Sequence, residues 1–81
     1  MAAKKKQPIE PYLTPPTVPQ DFNAAAALNI EAQHAIDYWK EQHKRAMFSD
    51  RQRLAHEKLK AWQAVSATAQ AVMQSYQLRL F

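Results

Sequence analysis

The chain has 81 residues, and a chain of this length folds as one small domain that buries only a modest share of its surface. It contains no Cys, which excludes disulfides and thiolate metal sites, and no Gly, which excludes the glycine-rich loops that bind phosphates. Its formal net charge of +4 at pH 7 favours acidic partners, such as nucleic acid or an acidic protein surface.

The N-terminal segment, residues 1–20, contains all five prolines of the chain and a basic run at positions 4–6. Proline fixes φ and has no N–H to donate, so we predict an extended, Pro-rich arm without a fold of its own. No apolar stretch of the signal-peptide kind follows the lysines, so we expect no secretion by that route. The expected location is the cytoplasm or a particle assembled inside the cell.

The remaining chain, residues 21–81, is predicted to be helical nearly throughout. It contains no Pro and no Gly, and it is rich in Ala, Gln, Leu, Lys and Glu, which all favour helices. A first helix is expected over about 24–47, because Asp21 or Asn23 provides an N-cap side chain and a run of alanines follows. The predicted fold class is therefore all-α, with the arm preceding long helices.

A second helix is expected over about 50–80, after a break at 48–49. Ser49 and Gln52 have the spacing of a capping box at this break. Apolar stripes with alternating spacings of four and three run along both predicted helices. On one straight helix the two stripes would point about 130° apart. We therefore predict two helices in an antiparallel hairpin, with a kinked continuous rod as the alternative.

The stretch 61–78 of the second predicted helix carries no charged residue. A helix with one face in water usually has Lys and Glu there, so this stretch indicates contacts on more than one face. Two helices also bury little apolar surface, so we predict that oligomerisation or a protein partner completes the fold. The alternative is an intramolecular hairpin core with an uncharged back in water. The candidate partner-binding residues are Tyr12, Leu13, Phe22, Trp39, Leu59, Trp62, Val65, Val72, Met73 and Tyr76.

Basic residues concentrate between positions 40 and 60 and suggest a second kind of surface. Lys and Arg side chains in one stripe would follow the phosphates of a nucleic acid. These residues spread around the helix axis, however, which favours an ordinary solvated face with local ion pairs. The candidate nucleic-acid contacts are Lys4, Lys5, Lys6, Lys40, Lys44, Arg45, Arg51 and Arg53.

No arrangement of residues indicates catalysis, a cofactor or a bound metal. The chain has no Cys nucleophile and no Gly for a nucleophile elbow. His34, His43 and His56 lack the spacing of metal ligands. The uncharged stretch 61–78 is interrupted by glutamines, serines and a threonine, so no membrane span is expected.

The function predicted from these features is a structural or assembly role without enzymatic activity. The chain would dock through apolar helix faces and its arm onto the subunits of a larger protein assembly, or onto further copies of itself. One setting that fits is a minor component of a viral particle. The alternatives are a small basic helical nucleic-acid-binding protein and a small helical inhibitor or regulator of a protein complex.

Overall fold

The computed structural model describes residues 10–79 of the chain. Two long helices make up most of this part, and it contains no strand, which confirms the predicted all-α class. Helix α1 spans Phe22–Arg45 and helix α2 spans Ser49–Arg79. Residues 46–48 link them. The basic run formed by Lys4, Lys5 and Lys6 lies outside the described residues.

The start of α1 follows the predicted capping chemistry. Asp21 has an extended backbone, and its Oδ2 accepts a hydrogen bond from the backbone N–H of Ala24 at 2.9 Å. Of the two caps that the sequence offered, the structure therefore uses Asp21, while Asn23 lies inside the first turn. The helix ends at Arg45, slightly before the expected position 47, because Ala46 adopts an extended conformation.

The start of α2 corrects the predicted capping box. Ser49 is already the first residue of the helix, and the backbone carbonyl that accepts the first helical hydrogen bond belongs to Phe48, which receives the N–H of Gln52 at 3.0 Å. The Gln52 side chain donates to the carbonyl of Ala46 at 3.2 Å. Gln52 therefore ties the first turn of α2 to the link, rather than returning to the backbone of Ser49.

The two helices run antiparallel and pack along their length as a hairpin. Ala25 near the start of α1 packs with Ala69 and Val72 near the end of α2, and Trp39 packs in the same cluster as Trp62. The apolar stripe of each helix faces the other helix. The angle between the two stripes on one straight helix is therefore accounted for by the hairpin, without a kinked rod. Fully buried alanines on both helices allow a close approach of the backbones. Completion of the fold by oligomerisation or a partner stays a prediction.

Residues 10–20 have no regular secondary structure and lie against the hairpin, where Tyr12 and Val18 pack on the core. Trp39 lies 17 positions after Phe22, which at 1.5 Å per residue places it about 26 Å along α1. Tyr12 lies 10 positions before Phe22, and an extended proline-rich segment covers about 31 Å over that number of residues. The segment is therefore long enough, with little excess, to bring Tyr12 beside Trp39.

Candidate interaction surfaces

The indole N–H groups of Trp39 and Trp62 bind the same atom of the N-terminal segment. Both tryptophans are fully buried, one on each helix. Their indole N–H groups donate to the same backbone carbonyl, that of Tyr12, at 2.8 Å and 2.9 Å. A carbonyl oxygen has two lone pairs, so one acceptor satisfies both buried donors. We call this arrangement the clasp; its members are Glu10, Tyr12, Tyr38, Trp39, Arg51 and Trp62.

The Tyr12 ring adds apolar contacts to the clasp. Its centroid lies 5.7 Å from that of Tyr38 and 5.8 Å from that of Trp62, with the second pair edge to face. The Tyr12 backbone has φ of 57°, in the left-handed region. A residue with a side chain pays roughly 1–2 kcal/mol to adopt this conformation. Contacts of Tyr12 with both helices offset that cost.

Glu10 supplies the charged part of the clasp. Its carboxylate accepts hydrogen bonds from both terminal nitrogens of Arg51 and, at 2.9 Å, from the hydroxyl of Tyr38. Arg51 also donates to Gln42 at 2.9 Å and lies 5.6 Å above the Trp39 ring. Hydrogen bonding from Arg51 lowers the pKa of Glu10. Burial, together with the bond to Glu10, raises the pKa of the Tyr38 hydroxyl.

A second polar cluster centres on the buried residue Ser66. Its hydroxyl donates to Oδ1 of Asn29 at 2.7 Å and accepts from Nε2 of Gln33 at 2.9 Å and of Gln70 at 3.2 Å. Asn29 and Tyr38 are nine positions apart, which turns them about 180° from each other on a helix. The clasp therefore closes one edge of the groove between the helices, and the Ser66 cluster bridges the opposite edge.

Most of the candidate partner-binding residues make contacts within the chain. Phe22 and Tyr76 form an edge-to-face pair at 6.0 Å, and the Tyr76 hydroxyl donates to the carbonyl of Gln20. Leu13 is the candidate that remains most exposed. The other candidates are buried or half-buried in the hairpin core and the clasp: Tyr12, Trp39, Leu59, Trp62, Val65, Val72 and Met73. These side chains have an intramolecular role, whatever partner the chain has.

The link between the helices presents the largest exposed apolar side chains. Met47 is 85% exposed and Phe48 is 75% exposed, next to each other in sequence. We call this end of the hairpin the tip; it comprises residues 46–48 with the adjoining turns of α1 and α2. An open cleft beside the link is lined by Gln42, Arg45, Ala46, Met47, Phe48 and Arg51.

The basic residues predicted as nucleic-acid contacts lie toward the tip, on both helices. Arg45 forms an ion pair with Glu41 at 2.8 Å on the surface of α1. Arg51 is bound to Glu10 in the clasp. The remaining described candidates are all exposed: Lys40, Lys44 and Arg53. Charge is distributed unevenly along the hairpin, because the stretch 61–78 at the other end carries none.

Sequence reasoning missed the partners of Glu10, the role of Tyr38 and the Ser66 cluster. Glu10 and Arg51 are 41 positions apart, and neither belongs to a motif. A weak signal existed for Ser66, a polar residue inside an otherwise apolar seam. Such a residue needs a hydrogen-bond partner when it is buried.

Two further properties concern only residues 10–79. No group of three or more His, Asp or Glu side chains there is arranged to hold a metal ion. Neither α1 nor α2, over its described length, includes a stretch sufficiently long and apolar to cross a membrane.

Comparisons of the chain with protein-family models, curated proteins and solved structures found no match.

Proposed function

We propose that the chain is a non-enzymatic docking protein of a larger protein assembly, and that it binds its partner through the tip. The observation that supports this proposal is the exposure of Met47 and Phe48 on a hairpin that buries both of its tryptophans internally. Trp39 and Trp62, which were candidate partner-binding residues, are buried in the fold. The docking role is therefore assigned to apolar side chains that the fold leaves exposed.

Hairpin formation does not require apolar residues at the tip. Short links between helices are usually polar, because their side chains face water. Burying a Phe or Met side chain in a partner contributes about 1.5–3 kcal/mol relative to leaving it exposed. Met47 and Phe48 together therefore offer a partner enough binding free energy to act as a small hot spot.

Two hydrogen bonds from Gln52 also order the tip before binding. Gln52 connects α2 to the link through its backbone N–H, which donates to Phe48, and through its side chain, which donates to Ala46. A surface that is already ordered loses less conformational entropy when it binds. Lys40, Lys44 and Arg53 are exposed toward the tip and outnumber the exposed Asp50, which favours a partner with an apolar pocket and an acidic rim.

The proposal is tested with a double variant, Met47→Ser with Phe48→Ser, and a matched control, Leu78→Ser. Leu78 is as exposed as Phe48 but lies near the opposite end of the hairpin. Tagged chains are expressed in the native source, and co-purifying proteins are quantified by mass spectrometry. We expect a protein retained by the wild type and by Leu78→Ser to fall at least about tenfold in the tip variant, as the loss of roughly 1.4 kcal/mol or more implies.

Equal recovery of every co-purifying protein with the tip variant and the wild type contradicts the proposal. Far-ultraviolet circular dichroism of the three proteins must show equal helix content, so that a loss of binding reflects the tip and not the fold. The identity of the retained protein also distinguishes an assembly component from an inhibitor or regulator, because all three roles use the same surface.

Nucleic-acid binding is a second candidate function, supported by the exposed Lys40, Lys44 and Arg53 on both helices. It predicts binding of a labelled duplex or single strand that weakens steeply as salt increases. Under this candidate, Lys44→Gln with Arg53→Gln weakens binding while the serine variant of the tip does not. Absence of binding at low salt removes this candidate.

A further inference from the structure

We infer that the clasp is a binding site that also accepts the N-terminal segment of a second copy of this chain, so that two chains exchange arms reciprocally. Each hairpin would then hold Glu10 and Tyr12 of the other chain. This inference concerns a different surface from the tip and does not depend on the proposed docking function.

The two halves of the clasp lie on separate parts of the chain. The hairpin provides every donor: Tyr38 and Trp39 from α1, and Arg51 and Trp62 from α2. The segment around Glu10 provides the acceptors, namely a side-chain carboxylate and one backbone carbonyl. A site and its ligand that are complementary in this way form the same contacts whether or not they belong to one molecule.

The connector between the clasp and α1, residues 13–20, is held to the hairpin mainly by apolar packing, with Pro15, Val18 and Pro19 half-buried. Val18 packs against both core clusters, and the carbonyl of Gln20 accepts a hydrogen bond from Tyr76. Within residues 10–79, no hydrogen bond joins positions 13–19 to either helix. The connector can therefore change its path without disturbing the polar contacts of the clasp.

Closure within one chain takes up much of the reach of the connector. It must cover about 26 Å along α1 and also cross from the helix surface to the groove, with about 31 Å available in the extended conformation. Tyr12, where the chain leaves the clasp for the connector, has the left-handed φ of 57°. An arm that reaches a second hairpin makes the same clasp contacts, over a span set by how the two hairpins lie and not by the length of its own α1.

The balance between the closed chain and the exchanged pair is set by protein concentration. A short linker gives its ligand an effective concentration in roughly the millimolar range, which falls when the linker hardly spans the sites. Inside an assembly, where copies are held close together, exchange between neighbours competes with closure. A second copy is the appropriate occupant because it supplies the matching ligand and a matching vacant site at once, which closes a symmetric dimer.

Charge reversal on each side of the clasp tests this inference with full-length chains. One variant is Glu10→Arg, whose arm repels its own Arg51. The other is Arg51→Glu, whose site repels its own Glu10. Neither can form the ion pair alone, either within a chain or between identical chains. Mixed together, each arm matches the site of the other variant, so the mixture restores both ion pairs only by exchange.

We expect each variant alone to have the mass of a single chain, 9.3 kDa, in light scattering after size-exclusion chromatography. The equimolar mixture should show twice that mass. Tryptophan fluorescence, shifted to longer wavelength in each variant by loss of the arm, should return toward the wild-type position on mixing. The control is one chain carrying both Glu10→Arg and Arg51→Glu, which regains the ion pair without a partner.

The inference is overturned if the mixture keeps the mass of a single chain up to about millimolar concentration. That is the effective concentration of an arm at the clasp of its own chain. A measurement on the wild type tests the inference even if a charge-reversal variant does not fold. In a concentrated mixture of isotope-labelled and unlabelled wild-type chains, exchange gives nuclear Overhauser contacts from unlabelled Tyr12 to the labelled indole N–H of Trp62. Their absence also overturns it. Serine variants of the tip should exchange as the wild type does, which separates this result from the docking test.

Discussion

Removing the charge of Glu10 should weaken the attachment of the N-terminal segment by a predictable amount. Glu10→Gln keeps the size of the side chain and one acceptor oxygen, so Arg51 and Tyr38 retain a neutral hydrogen-bond partner. The variant therefore isolates the charge from the shape. Loss of this charge should destabilise the folded chain, because the carboxylate accepts from Arg51 through both oxygens.

The magnitude follows from the exposure of the pair. Hydrogen bonds to charged groups contribute about 1.5–3 kcal/mol and neutral ones about 0.5–1.5 kcal/mol. The side chains of Glu10 and Arg51 are 24% and 34% exposed, so solvent screens part of the difference. We expect Glu10→Gln to lower the free energy of unfolding by about 1 kcal/mol, or the melting temperature by roughly 4–8 °C for a domain of this size.

The effect should depend on pH in a defined direction. The pKa of Glu10 is lower in the folded chain than its ordinary value of 4.5, because Arg51 favours the charged form. The stabilisation is complete above about pH 4.5 and is lost as the pH falls through the folded pKa, since the unfolded chain takes up the proton more readily. The difference between wild type and Glu10→Gln should therefore disappear in acid.

Urea unfolding followed by circular dichroism, from about pH 7 to about pH 2, measures this difference without adding salt. Glu41→Gln is the matched control, because Glu41 forms a more exposed ion pair with Arg45 on one face of α1. The control should lose about 0.3–0.5 kcal/mol. If the gap between wild type and Glu10→Gln were the same at both ends of the pH range, the assignment of an ionic role to Glu10 would be wrong.

Three further predictions concern the helices and the tip. Asp21→Ala should lower the free energy of unfolding by about 1 kcal/mol because it removes the N-cap bond, whereas Asn23→Ala should change it by less than about 0.5 kcal/mol; urea unfolding of both variants compares them. Trp62→Ala should cost about 3–5 kcal/mol and abolish a cooperative melt, because it leaves a cavity in the core; an unchanged melt would place Trp62 outside the core. Met47→Ser with Phe48→Ser should leave thermal stability within about 0.5 kcal/mol, since both side chains are exposed, and a larger loss would give the tip a folding role.

Local chemistry determined the helices in advance. The absence of Pro and Gly after Pro19 predicted continuous helices, and Asp21 capped the first one as its side chain allows. The change in the phase of the apolar stripes located a break within two residues of the link at 46–48. These features depend on residues that are neighbours in sequence, so the pattern was sufficient. The cap of α2 was misassigned, because the backbone carbonyl of Phe48 accepts the first helical hydrogen bond and the Gln52 side chain donates to Ala46 rather than to Ser49.

Periodicity showed that Trp39 and Trp62 lie on apolar faces. It does not indicate whether the residues that pack on these faces belong to the same chain. That depends on the path of residues 10–20, which return along the groove and place the Tyr12 carbonyl between the two indoles. The Glu10 contact with Arg51 spans 41 positions and has no local signature. The amino-acid sequence by itself therefore specified the helices through short-range preferences. Only the tertiary structure decided what each apolar face meets, because contacts between distant residues form only once the chain has folded back on itself.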